Sequence, residues 1–376
     1  MATIANDFFT QAVNTVYRES DLGRKIVQAR RLAKQWASFD TKLLEETRST
    51  PASKEVLEAY SHLHDPRKWI LPARPLDRPK LCERIPGHKE LGIPQTAHIM
   101  HTLAHIELNA VDMYLDTVIR FGWKVDKSTI PYRIVRVLPE ECISDMMSIV
   151  DDEARHFTMV ANRLEAMTHE LRTKLGKPDV DVRYGAIPAT TLLWQLGVNT
   201  RNDFASRVAV IPLSQEARGL DATPRFVQRL NSGNDHESAS IVGLIGREEV
   251  RHVALGLKWL AWEAIRVGRV TPSQQLGADD ISSTISGIKL SNEDMEQLGS
   301  YWQELVSPHF PDGMFPPFNR VARSEAGMPE SWYAPLCRTE PTFTDDVLSN
   351  PQQSHLPTSR NVPGYVAKYV EKNTQN

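Results

Sequence analysis

Apolar residues recur at intervals of three and four over four long stretches, at about Gln95–Phe121, Pro139–Leu175, Arg201–Asp221 and Asp235–Val267. That period puts them on one face of an α-helix. The punctuation agrees. Gly122 and Gly176 follow the first two stretches, and Pro139 suits a first helical turn. Pro212 lies inside the third, where it removes a backbone hydrogen bond and predicts a kink or local unwinding one turn before Glu216. Tyr184–Pro188 and the apolar piece Thr191–Gly197 form a connection long enough to cross a helix bundle.

The flanks read differently. Phe8, Phe9, Val13, Val16 and Tyr17 predict helix within residues 6–39, broken near Ser20–Gly23. Arg24, Lys25, Arg30, Arg31 and Lys34 then read as a solvated basic face, with a docking patch for an anionic partner as the alternative. Six prolines from Pro66 to Pro94 exclude regular helix and predict an extended strap. After the fourth stretch, Thr271–Lys289 is polar and Asn292–Val306 predicts one more helix, followed by proline-rich sequence. The pattern predicts an all-α fold: N-terminal helices and strap over 1–94, a four-helix bundle over 95–270, a helix and ordered cover over 271–340, and a tail over 341–376 expected to be disordered.

Acidic residues interrupt the apolar stripes in an ordered way. Glu153 and His156 lie three apart among Met146, Ile149, Val150, Phe157 and Val160; Glu249 and His252 repeat the spacing among Val242, Ile245, Val253 and Gly256. Residues three apart share a helix face. Lone acids on similar faces are Glu107, beside Leu103, Ala104, Ala110, Val111 and Tyr114, and Glu216, beside Leu213, Gly219 and Leu220. Desolvating a carboxylate costs several kcal/mol unless it is paired or binds a metal. The order Glu, Glu-x-x-His, Glu, Glu-x-x-His is the donor set of a four-helix bundle carrying two metal ions. The competing explanation is a metal-free bundle whose acids pair with Arg155, Arg218 and Arg251. Asp152 and Glu248 precede the ligand glutamates and are expected either to hold the outer N–H of the opposite histidine or to pair with Arg155 and Arg251 in solvent. His98, His101 and His105 point away from the Glu107 face and read as structural or surface residues.

The strings His105-Ile-Glu-Leu, Asp152-Glu-Ala-Arg-His-Phe, Glu216-Ala-Arg-Gly-Leu-Asp-Ala-Thr-Pro and Glu248-Glu-Val-Arg-His-Val resemble the ferritin-like proteins of domain-of-unknown-function family 455. Pro317-Phe-Asn-Arg-Val-Ala-Arg-Ser-Glu-Ala-Gly327 resembles that family's C-terminal segment. The resemblance runs from about Ala97 to Gly327, and the family is in turn similar to diiron enzymes that hydroxylate a modified base in tRNA. It implies a ferritin-like di-metal carboxylate bundle.

Four carboxylates and two imidazoles suit iron, with manganese or a mixed pair as alternatives, and lack the thiolates that copper(I) and structural zinc prefer. The leading expectation is a non-haem diiron oxidoreductase using dioxygen to hydroxylate or oxidise an organic substrate. The alternatives are a metal-binding or redox-protective protein without an organic substrate, a tRNA-modifying hydroxylase, and a bundle that keeps metal only for stability. A net charge of -3 gives no bulk attraction to nucleic acid, so a small-molecule substrate and a separate electron donor are expected. Lys258, Glu263 and Arg266 interrupt the longest apolar run, so no membrane span is expected. Cys82, Cys142 and Cys337 are widely separated and the first residues lack a signal-peptide pattern. A reducing, cytoplasmic location is therefore expected.

Overall fold

The 3.6-residue periodicity becomes helix wherever it was strongest. The computed structural model describes residues 4–38, 51–65, 70–76, 79–174, 176–272 and 290–338. The chain starts with α1 (Ile4–Tyr17), α2 (Leu22–Ser38) and α3 (Lys54–Leu63). It continues with α4 (Gln95–Phe121), strands β1 (Trp123–Asp126) and β2 (Arg133–Arg136), and α5 (Glu140–Thr173). Then come α6 (Leu192–Asn199), α7 (Phe204–Val210), a π-helical turn at Ile211–Glu216, α8 (Ala217–Ser232) and α9 (His236–Arg266). The C-terminal elements are α10 (Asn292–Val306), α11 (Arg320–Glu325) and α12 (Glu330–Tyr333). The fold class is all-α, with one two-stranded antiparallel hairpin among the described residues. No described helix is long and apolar enough to cross a membrane. Most of Thr271–Lys289 and the whole 341–376 tail lie outside the described residues.

The chain divides into two compact units. The described residues of the first lie within 1–78 and 104–159, and its core begins with Phe8, Phe9, Val13 and Val16 of α1 against Ile26, Leu32 and Trp36 of α2. Trp36 meets Phe8 at 5.0 Å between ring centroids and Trp123 edge-on at 6.3 Å. The basic face expected on α2 is not simply solvated. Lys25 is fully buried, donating to the Val16 carbonyl and to Asp112 Oδ1, each at 2.9 Å, while Arg74 also binds Asp112. Arg30 pairs with Asp151 at 2.8 Å. Burial draws the Lys25 ammonium down to about 8, against the pull of Asp112. On α4, Asp116 accepts from Tyr17 Oη at 2.5 Å and from Arg120 Nη2 at 2.9 Å, and Arg120 also donates to the Leu63 carbonyl. This network ties α1, the end of α3 and α4 together.

Two elements of this unit were not predicted. Helix α3 is short, and its N-cap Ser53 accepts from Val56 N at 3.2 Å. The hairpin pairs Trp123 with Arg136 and Asp126 with Arg133. Its four-residue strands are too brief for a period of two to stand out from the helical pattern around them.

The second unit takes the described residues within 79–103, 160–277 and 287–376. Within it α8 packs along α9, and Arg163 near the C-terminal part of α5 reaches Asp235 at 3.0 Å and Ser238 at 3.1 Å. Asp235 also caps α9 by accepting from Ser238 N. The expected strap contains no helix over its described residues; it joins the 184–190 connection through a parallel bridge, with Cys82 N donating to Ala189 O at 2.9 Å. Trp302 of α10 and Trp332 of α12 are fully buried with centroids 6.0 Å apart. Gly299 permits the approach of Trp332, since a Cβ there would lie 2.5 Å from its indole nitrogen.

The third predicted helix needs a correction. It does not stop at Asp221 but runs through Pro224 to Ser232. A proline cannot donate to the carbonyl four residues earlier. That carbonyl, on Leu220, accepts instead from Asn319 Nδ2 at 3.1 Å, a partner too distant in sequence to be anticipated.

Candidate metal centre

In the first unit, α4 supplies Glu107, while α5 supplies Glu153 and His156 one turn apart. His156 Nδ1 lies 3.2 Å from Glu107 Oε2 and 3.7 Å from Glu153 Oε2. One donor atom from each of the three lies within 4.8 Å of the others. Two ligands on opposite sides of one transition-metal ion are ~4.2 Å apart, and the 3.2 and 3.7 Å separations fall within that span.

The second unit holds the other expected pair on α9. His252 Nδ1 lies 2.7 Å from Glu249 Oε2. In both Glu-x-x-His pairs the same ring nitrogen faces a carboxylate. Glu216 stands at the end of the π turn. All six expected ligands are buried, Glu216 the most accessible at 8%. Carboxylates so far from water require a cation or hydrogen-bond donors, and the oxygen and nitrogen donor set fits iron or manganese.

The π turn gives the predicted unwinding a definite form. Pro212 lies in its first turn, and the carbonyl taken up by side chains is that of Ala209. Ser214 Oγ donates to it at 2.7 Å and Trp302 Nε1 at 3.3 Å. Opposite, α9 presents Gly256, where a Cβ would lie 2.7 Å from Pro212 Cβ and 3.2 Å from Leu213 Cγ. Gly256 therefore sets how close α9 approaches the turn bearing Glu216. Its sequence signal is a glycine one turn beyond His252 on the ligand face. A Cβ on Gly219 would meet nothing within 4 Å.

Asp152 accepts from Arg155 at 3.0 Å and is partly exposed; Glu248 is half-buried and Arg251 exposed. His98, His101 and His105 are structural but all buried, none of them on the surface. His98 Nε2 contacts the Pro86 carbonyl at 3.1 Å, and burial holds its pKa below the usual imidazole value. His101 Nε2 accepts from Gly185 N at 2.9 Å and its ring stacks on Tyr184. His105 Nε2 meets Asn109 Nδ2 at 3.1 Å, one turn along α4.

A Haemophilus influenzae protein described as uncharacterized is 30% identical over 165 residues, covering 43% of this chain and 50% of its own length. The chain thus spans about half the length of this curated relative. No solved structure matches. The family described as "Protein of unknown function (DUF455)" matches residues 18–334, a span that takes in all six buried acids and imidazoles, and the chain belongs to that family.

Proposed function

We propose that the chain is a ferritin-like, non-haem diiron oxidoreductase in which Glu107, Glu153, His156, Glu216, Glu249 and His252 hold two iron ions. The observation that carries this reading is the repeated half-site: each Glu-x-x-His pair buries its imidazole Nδ1 against a carboxylate oxygen, His156 at 3.2 Å from Glu107 and His252 at 2.7 Å from Glu249. A four-helix di-metal bundle draws on such a pair from each of two helices and a lone glutamate from each of the others. When bound, the iron supplies the redox chemistry that activates dioxygen for oxidation of an organic substrate.

The protein's own contribution is placement and exclusion of water. Ile149, Val150, Ile245 and Val253 are buried on the ligand-bearing helices and keep the carboxylates in a low-dielectric setting. The π turn gives Glu216 a backbone less regular than that of the other ligands, so its carboxylate is the one best able to change position. The overall charge of -3 offers RNA no bulk attraction, which favours a small organic substrate. Electrons come from a separate donor.

Anaerobic loading with ferrous iron followed by elemental analysis tests the centre. Two irons per chain are expected, and a reproducible value of zero or one overturns the dinuclear reading. Oxygen uptake by the reduced protein, stimulated by a small organic molecule that gains an oxygen atom or loses hydrogen, tests the enzyme. A loaded protein that turns over no substrate with oxygen, while holding its iron, is a metal-handling protein instead.

A further inference from the structure

Two strings of the chain bear chemistry that the metal centre leaves unused, and the fold joins them. From α8 come Arg218, Asp221 and Arg225; from the C-terminal cover come Asn319 and Arg323. Arg323 is buried and grips Asp221 at both oxygens, Nε to Oδ1 at 2.9 Å and Nη2 to Oδ2 at 2.6 Å. Asn319 N adds a third bond to Oδ1 at 2.8 Å. The faces of Tyr333 and Phe318 lie 4.4 and 5.1 Å from the Arg323 guanidinium. Asp221 is thus held by both Arg323 and Asn319.

Arg218 and Arg225 sit seven residues apart, two helical turns on one stripe of α8, with Asp221 between them. Both are half-buried, and neither has a hydrogen-bonded or ion-paired partner among the described residues. Each feels its neighbours: Arg323 and Arg225 repel Arg218, and Arg229 repels Arg225, while Asp221 attracts both. Arg320, close by in sequence, is taken by Glu330 at 2.8 Å. Among the described residues the carboxylate that attracts Arg218 and Arg225 is that of Asp221, which Arg323 already holds, so positive charge is in excess here. Partly desolvated guanidiniums in that state call for an anion. The stripe lies about 180° around the helix from Glu216, so the cluster is not part of the ligand-bearing face.

We propose that Arg218 and Arg225 form an oxyanion site for a phosphate group carried by a small molecule, with the Asp221–Arg323 pair as its rigid base. Phosphate fits better than a monoanion because two guanidiniums, each with paired N–H donors, bring twofold positive charge. Asn319 holds the base in register, bonding Asp221 through its N–H and the freed Leu220 carbonyl through its amide. The site does not rest on the diiron reading.

Titration calorimetry of the full chain with inorganic phosphate, pyrophosphate and a nucleoside monophosphate tests it, both as purified and after chelation so that iron cannot bind the phosphate. Saturable binding that survives chelation is expected, with affinity falling about tenfold or more in Arg218→Gln and in Arg225→Gln, the loss of one charged hydrogen-bonding partner. Arg84→Gln, an exposed arginine paired with Glu90, should bind as the parent does. Circular dichroism and iron content unchanged in the variants separate loss of the site from loss of the fold or the metal centre. Binding that disappears with chelation, equal affinity in parent and variants, or tight binding of RNA without competition from the small phosphates overturns the proposal.

Discussion

At Lys25 an ammonium group is taken fully out of water and held by one carbonyl and one carboxylate, with Arg74 competing for the same Asp112. Desolvation dominates and lowers its pKa from 10.5 to about 8. The folded chain therefore releases this proton at lower pH than the unfolded chain, which binds more protons between about 8 and 10.5. Stability must then rise with pH across that window. At ~1.4 kcal/mol per unit the gain is about 3 kcal/mol at most. Urea unfolding at pH 7.5 and 9.5 should show the parent gaining stability relative to Lys25→Met, and a constant difference between the two would refute the assignment. Under the diiron proposal, Glu153→Ala removes a buried carboxylate that faces His156 while leaving the apolar stripe that packs α5, so iron should be lost and helix content kept. Retention of both irons at parental affinity excludes Glu153 as a ligand.

Elements are where sequence and fold agree most closely, and their departures have identifiable causes. The four long apolar stripes were legible because each repeats its period over several turns, and the Glu-x-x-His spacing was legible because it is local to one helix. Helix α8 outran its predicted end because Asn319 satisfies the carbonyl that Pro224 leaves open, and no local pattern announces a partner so remote. Pro212 announced a distortion; its π form depends also on Ser214, Trp302 and the close approach at Gly256. Gly256→Ala tests that account. The added methyl would meet a rigid proline ring, so the turn or α9 must shift, with a destabilisation of about 1–3 kcal/mol and weaker iron binding if Glu216 moves with it. Gly219→Ala, where a Cβ meets nothing, should be neutral or stabilising by about 0.5–1 kcal/mol. Thermal melts and iron analysis of the two variants read the difference, and a Gly256→Ala protein with parental melting temperature and iron content would show that the contact yields easily.

For the molecule as a whole the question is whether the two Glu-x-x-His half-sites act as one centre. Each belongs to its own compact unit: Glu107, Glu153 and His156 to the first, Glu249 and His252 to the second. The sequence order pointed to a shared pair of metals through the general plan of di-metal bundles, not through anything local to either motif. Under the diiron proposal, carboxylates shared by two irons would make them interdependent, because an acid bound to both would lose affinity for one when the other leaves. Independent half-sites would behave additively. Iron titrations of His156→Ala and His252→Ala separate these cases. Under the diiron proposal each single variant should fall below one iron per chain at loading conditions that fill the parent with two, and the double variant should be little worse than either. If each single variant keeps one iron at parental affinity and only the double variant is empty, the chain carries two separate mononuclear sites, and the dinuclear assignment with its oxygen chemistry must be given up.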